Sequence, residues 1–337
     1  MRYRLIIIVG VVVLAWTAGA MAGSDLKIGS AGGQELRIPV GSRGTAMGGA
    51  AVAFSTGIDA LFWNPAGAAT IQGTDFMVSR RKYIADINVD YLAAVHQIGD
   101  AGVIGVTAKI LSMADEMVTT IEAPDGTGET YSSSFSVVGV SYARTLTDRV
   151  ALGINGNLIF EKIADQTATG MAFDIGFRYD PGWNNLTFGA VIKNLGPNMR
   201  FDGPGFGIDA PTSDDPNYLP HTTRTQSSSF EIPSCVQLGA AYRLLSQQKS
   251  EMHVAGSFQS NNFAQDEYRV GAEYGYDGKY FLRGGYTGSK QDDYLYGLSL
   301  GAGVALKIGE STVHFDYAWS QSEFFDDNQY FTFQVGF

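Results

Sequence analysis

Met171-Ala172-Phe173-Asp174-Ile175-Gly176-Phe177-Arg178-Tyr179 places a large apolar side chain at every odd position and a small or charged one at every even position. Successive side chains of an extended chain point to opposite faces, so this stretch reads as a strand with one greasy and one polar face. The pattern repeats outward in both directions. Val150, Leu152, Ile154, Leu158 and Phe160 alternate with Ala151, Gly153, Asn155, Asn157 and Glu161. Tyr268, Val270, Ala272, Tyr274 and Tyr276 oppose Arg269, Gly271, Glu273, Gly275 and Asp277, and Val313, Phe315, Tyr317 and Trp319 oppose His314, Asp316, Ala318 and Ser320. A soluble β-sandwich alternates too. What separates this chain from one is that its polar faces carry Gly, Ser and charges of both signs on nearly every strand, as a wet lumen requires.

Connections decide between the two. The alternation predicts about 14 antiparallel strands, the expected number being even for a closed barrel. They begin near residues 74, 87, 101, 130, 148, 169, 183, 231, 250, 266, 279, 294, 310 and 328. Every second connection is tight: Gly99-Asp100, Leu146-Thr147, Pro181-Gly182, Ser246 to Lys249, Asp277-Gly278 and Gly309-Glu310. The intervening ones include the two longest, 113–129 and 196–230. Short turns at one end and long loops at the other describe a transmembrane antiparallel β-barrel, an all-β fold that leaves no open edge in lipid. The expected barrel covers residues 72–337.

Composition agrees. The chain has 337 residues with 42 Gly and 12% aromatics, but only 17% charged residues, against roughly 25% in an ordinary soluble domain. Mean hydropathy is near zero, as an apolar outside and a polar inside average out to be. The net charge of −11 comes with no basic block, so nucleic acid is excluded as a partner. The single Cys235 excludes an internal disulfide and any multi-cysteine zinc site. At the start, Arg2 and Arg4 precede an apolar run from Leu5 to Ala20 and the small-x-small site Ala20-Met21-Ala22. That is the form of a cleaved signal peptide, residues 1–22.

Residues 23–71 do not alternate. They contain Gly44-Thr45-Ala46-Met47-Gly48-Gly49-Ala50-Ala51-Val52-Ala53, then Asp59-Ala60-Leu61-Phe62-Trp63-Asn64-Pro65-Ala66-Gly67. Small residues let a backbone pack closely against a wall, and Asn-Pro ends a helix. Phe54, Leu61, Phe62 and Trp63 are too apolar for a disordered tail. The segment is therefore expected to be a hatch, or plug, folded in the lumen. Gly44, Gly48, Gly49, Asp59, Asn64, Pro65, Ala66 and Gly67 are its candidate structural or gating positions.

The run Gly44 to Ala53, followed by Trp63-Asn64-Pro65-Ala66-Gly67 and with Lys193-Asn194-Leu195-Gly196 at a strand end, resembles the PorV/PorQ family, related to FadL-type outer-membrane barrels. The resemblance implies a 14-stranded barrel behind an N-terminal hatch in the outer membrane of a Gram-negative-type bacterium. It implies two jobs. PorV-like members serve type IX secretion, receiving folded cargo proteins and passing them to a surface-attachment complex. FadL-like members move hydrophobic small molecules through a hatch-gated lumen. The secretion and surface-attachment role is the first expectation and the hydrophobic channel the alternative. Expected partners are outer-membrane lipid, cargo or secretion subunits, and hydrophobic ligands. The last strand, with Phe331, Phe333, Val335 and the terminal Phe337 on one face, resembles the signal read by the barrel assembly machinery, a further expected partner.

Catalytic motifs give little. Gly297-Leu298-Ser299-Leu300-Gly301 matches the G-x-S-x-G elbow, but that motif needs a strand-to-helix turn, and here both flanks continue as strand. If Gly309-Glu310 is the turn, Ser299 pairs with Ser320 and His314 with Ala305, about 20 Å apart. Asp202, Asp209, Asp214 and Asp215 fit no calcium-loop spacing and read as solvated surface. No cofactor, metal or enzymatic step is expected. The inward cations Lys109, Arg178, Lys193, Arg243, Arg269 and Arg283, set against Glu161, Asp174, Glu273 and Asp316, are expected to pack by ion pairing against the hatch. Tyr83, Tyr142, Tyr179, Trp183, Tyr242, Tyr276, Tyr280 and Trp319 are expected to form interfacial aromatic girdles.

Overall fold

The computed structural model describes residues 27–183, 185–210, 221–290 and 294–337. The expected signal peptide, the first four residues of the expected hatch, and Asp214 and Asp215 lie outside the described residues.

Fourteen long strands form one antiparallel sheet. They are β1 (Thr74–Lys82), β2 (Asn88–Gln97), β3 (Val103–Ser112), β4 (Ser133–Thr147), β5 (Val150–Ile163), β6 (Gln166–Tyr179) and β7 (Leu186–Leu195). After the longest loop come β8 (Cys235–Ser246), β9 (Ser250–Asn261), β10 (Glu267–Tyr276), β11 (Tyr280–Ser289), β12 (Tyr296–Ile308), β13 (Ser311–Ser322) and β14 (Asn328–Gly336). Each pairs with its sequence neighbour, and β1 pairs with β14 from Asp75↔Gly336 to Lys82↔Gln329, so the barrel closes. Beyond the last rung, Phe337 and Thr74 exchange backbone hydrogen bonds.

Burial is inverted relative to a soluble domain. On β6, Phe173 and Ile175 stand exposed on the outside while Ala172 and Asp174 are buried inside. Val140, Ile154, Val270, Leu282, Phe315 and Phe333 continue the exposed belt on other strands. A continuous apolar exterior of this kind is costly in water and favourable in hydrocarbon. The described aromatics Trp183, Tyr276 and Tyr280 are exposed near the tight-turn end, as a girdle requires. Tyr83 does not join them. It follows β1 with the parity of Met77, Ser79 and Arg81, all buried inside, and its ring stacks over the Arg81 guanidinium, 4.1 Å from the centroid.

Two departures from the regular ladder matter for the interior. β8 starts at Cys235, later than the alternation suggests, because Ile232 and Pro233 turn inward against Gly33. On β7, Lys193 and Asn194 together oppose Asp174 of β6, a bulge in which Asn194 takes a left-handed φ of 59°. Asp174 anchors it: its carboxylate accepts from Asn194 N at 2.8 Å and from the Asn155 and Asn157 amides at 3.1 Å each. Past the bulge β7 leaves the wall. Its place beside β6 is taken by Phe201 and Asp202, with Met199 bridged to Phe230 behind them.

Candidate functional site

Residues 34–71 fill the middle of the lumen as short turns rather than one regular element: a 3-10 turn Gln34–Arg37, helix α1 (Ser42–Ala46), helix α2 (Ala60–Trp63) and a 3-10 stretch Pro65–Thr70. Such a chain has few internal hydrogen bonds, and its buried carbonyls need partners. The inward polar side chains of the wall supply them. Lys109 Nζ donates to Glu35 O (2.8 Å) and Ile38 O (3.1 Å). Lys193 Nζ donates to Phe62 O, Asn155 to Leu61 O, and Thr287 Oγ1 to Gly48 O, each at 2.8 Å.

Three pairs of facing glycines make the room. Gly153 and Gly176 are cross-strand partners on β5 and β6, and a Cβ on either would overlap Asn64, Pro65 or Ala66. Gly271 and Gly285 pair across β10 and β11, where a Cβ would overlap Met47 and Gly48. Gly189 and Gly239 pair across β7 and β8 under Val52. Inward glycine here is a notch for hatch backbone, a stronger requirement than the strand curvature that glycine also serves.

The candidate positions of the hatch divide by role. Gly48 and Gly49 have φ of 62° and 71°, which glycine adopts without strain. Gly44 lies flat under the Trp63 indole, and Gly67 under Ser55 O. Ala66 is fully buried. Asn64, only 1% exposed, holds three segments together. Its Nδ2 donates to Val52 O at 2.8 Å and to Phe177 O of the wall at 3.0 Å, while Oδ1 accepts from Ala66 N at 3.2 Å. It thereby caps the Pro65–Thr70 turn, with Pro65 in the first position where its missing N–H costs nothing. Asp59 is buried near Arg43. Burial lifts its carboxyl to about 6, with Arg43 pulling the other way.

The six inward cations are treated unequally. Arg269 pairs with Glu267, and Arg283 bridges Glu273 and Asp316. Arg43 of the hatch shares Glu273 through two 3.0 Å bonds. Lys109 and Lys193 spend their charge on hatch carbonyls and on the Phe62 ring, 4.7 and 3.8 Å from its centroid. Arg81, an inward cation absent from the expected set, is the largest fully buried side chain among those described. It lies among the rings of Tyr83, Tyr296 and Tyr330, and its parity with Met77 was the available signal.

The hatch separates two cavities. At the long-loop end a cavity of about 590 Å³ lies between hatch and wall. Leu36, Ile38, Phe62, Trp63, Leu111, Phe135, Ile163 and Tyr294 give it an apolar lining, with Arg37, Lys193 and Arg269 set among them. Glu35 and Glu161 also face it and one another. Burial and the neighbouring Glu161 carboxylate push Glu35 up to about 7. At the tight-turn end a polar vestibule of about 510 Å³ opens below the hatch.

Ser299 lies inside β12, with its neighbours on both sides in the strand. It pairs with Ser320 (Oγ to Oγ, 3.1 Å) while His314 pairs with Ala305, the register expected from the turn. The nucleophile-elbow geometry is absent there. Among the described residues no group of acids, histidines and cysteine has the arrangement of a metal site.

Residues 10–158 match the model of an uncharacterised protein family, UPF0164, a match that spans less than half of the chain. No curated protein matches. Several solved structures share the architecture. The Pseudomonas putida toluene transporter TodX is 13% identical, with a TM-score of 0.57 over 87% of this chain and 96% of that one. A Pseudomonas aeruginosa FadL homologue is 12% identical, with a TM-score of 0.53 over 88% and 98%. The CymD monoaromatic hydrocarbon channel is 13% identical, with a TM-score of 0.53 over 88% and 96%. At such identities the likeness is one of fold: this chain is a closed, 14-stranded barrel of FadL-like architecture with its N-terminal segment inside.

Proposed function

We propose that this chain is an outer-membrane barrel that admits a hydrophobic or amphipathic small molecule from the long-loop, outer side and holds it above the hatch. One observation carries the reading: the cavity of about 590 Å³ between hatch and wall. Its size falls in the range of small-molecule sites, and its lining is the usual mixture of apolar surface with a few placed polar groups. Above Asp174 the long strand β7 gives way to the two-residue pairing of Phe201 and Asp202 with β6 and to the Met199–Phe230 bridge, a weakly held stretch of wall that offers a way out without the hatch leaving. The channels named among the similar structures lend the reading support from a shared fold alone, and that fold serves the secretion role equally. No catalytic step is assigned to any residue. In this orientation the tight turns face the periplasm, lipid surrounds the apolar belt, and Phe337 is the recognition point for barrel assembly.

The test uses Trp63, which lines the cavity. A brominated alkane titrated into the purified barrel should quench a saturable part of the fluorescence, and that part should vanish in Trp63→Phe. Ile163→Arg, at the cavity mouth, should weaken the quenching without preventing folding. Equal quenching in all three proteins would refute the reading.

A PorV/PorQ-type role in secretion and surface attachment stays as a second reading on one observation. The loop after β3 folds into its own ribbon, with Glu116–Met117 paired to Thr130–Tyr131. The ribbon presents Ile121, 96% exposed, and Met117 to the outside. Affinity purification from native membranes would recover exported proteins sharing a C-terminal domain if this is its task. Loss of the gene with every surface protein still in place would exclude it.

A further inference from the structure

We propose that the vestibule below the hatch is a binding site for an oxyanion, a carboxylate or phosphate group carried by a molecule on the periplasmic side. Three arginines converge on it from separate elements: Arg43 from the hatch, Arg178 from the end of β6 and Arg243 from β8. His253 of β9 and the Thr56, Asn185 and Thr187 side chains complete a polar wall. Asp180 is the one acid in that lining; its carboxylate accepts from Gly182 N at 2.9 Å and acts on Arg178 through its charge without forming an ion pair with it.

The state of each arginine shows which ones would act. Arg43 is committed, its fork closed on Glu273. Arg243 is half committed: it donates to Asn185 Oδ1 and approaches Glu251 at 3.6 Å, and its Nε has no acceptor. Glu251 is shared with His253, 3.0 Å away. Arg178 has no ion pair among the described residues, and its guanidinium makes one long bond, 3.3 Å, to Ser55 O. A guanidinium with most of its five donors unused, turned into a cavity beside a second arginine, is arranged as oxyanion sites are, because the planar fork matches two oxygens at once. Lys109, Lys193, Arg269 and Arg283 are taken up by the hatch or by acids. Arg178 is held only by its long bond to Ser55 O, and it faces the vestibule. The site lies on the opposite side of the hatch from the outer cavity. It rests on the proposed orientation only for the name of the compartment it faces.

The experiment is a titration of inorganic phosphate into the full barrel in phosphatidylcholine nanodiscs at constant ionic strength, followed by calorimetry. One saturable site is expected, weakened at least about tenfold by Arg178→Gln and by Arg243→Gln. Arg80→Gln, an exterior change at an exposed pair with Asp90, should leave it unaltered. Heat-modifiable mobility on a gel checks folding. Arg178→Lys keeps the charge and loses the fork, so an intermediate weakening there carries the test if the glutamine variant does not fold. Repeating the titration with phosphatidylglycerol in the disc separates the sources. Competition assigns the site to a lipid headgroup, and unchanged affinity assigns it to a soluble anion. Absence of saturable binding, or equal affinity in Arg178→Gln and Arg80→Gln, overturns the proposal.

Discussion

Gly153 and Gly176 face each other as a register pair across β5 and β6, and Asn64 with Pro65 occupies the space that a side chain on either would take. The contact is to hatch backbone and to the buried Asn64 amide, so it has little means to yield. Gly176→Val should therefore destabilise hatch docking by about 1–3 kcal/mol or more, the usual cost of overpacking. Closed barrels owe their integrity to the strand ladder, so the barrel should still form. Limited proteolysis should cut the hatch of the variant earlier than that of the parent, while gel mobility of the folded barrel stays the same.

Asn64→Ala probes the same contact from the other side. It leaves the Val52 and Phe177 carbonyls without their donor and removes the cap from the Pro65 turn. A buried group stripped of its partner costs about 1–3 kcal/mol, so the loss should match or exceed that of the glycine variant. Asn64→Asp should do no better, since it offers acceptors to two carbonyls. Replacing Asn64-Pro65 by Ala-Ala with no change in hatch protection would remove the structural role assigned to the motif.

Glu35 gives hatch docking a pH dependence. Its carboxyl sits near 7 when docked against Glu161, against an ordinary value of 4.5. The docked form thus holds its proton more tightly, and docking is favoured at low pH. That stabilisation is complete below about 4.5 and is lost as pH rises to about 7, where both states are ionised. Lys109, which donates to Glu35 O, pulls the carboxyl the other way, and that pull is already contained in the value. The protection factors of the hatch amides, which are exchange rates corrected for intrinsic base catalysis, should fall across that window. In Glu35→Gln the protection factors should be flat over the same window.

Much of this was legible in the sequence because a barrel wall is a period-two object. The alternation from Met171 to Tyr179 appears unchanged as outward Phe173 and Ile175 against inward Ala172 and Asp174. The tight turns gave the register that puts Ser299 opposite Ser320. The interior was less legible, since which inward residue meets which hatch residue is set by three-dimensional fit. Nothing local marks Gly176 as the seat of Asn64, or distinguishes Arg178, which has no ion pair among the described residues, from the doubly paired Arg283. Tyr83 departs from the girdle expectation for a related reason. An aromatic at a strand end suits a girdle by composition, and only its parity with the buried Arg81 places it inside.

Phe62 is the point where the hatch meets the two lysines, and ring and backbone contribute separately. Lys193 Nζ lies 3.8 Å from the ring centroid and donates to the backbone oxygen of the same residue. Phe62→Leu keeps that oxygen and comparable apolar bulk but removes the π face, so any coupling to Lys193 that it abolishes belongs to the ring. A double-mutant cycle of Phe62→Leu with Lys193→Met, read by hatch release, should give a coupling of about 0.5–2 kcal/mol, the range for a cation over an aromatic face. Lys109, 4.7 Å from the centroid, should show a weaker coupling in the same cycle, as its greater distance requires. Zero coupling for both would mean that Phe62 only fills space and that the hydrogen bonds alone hold α2 to the wall.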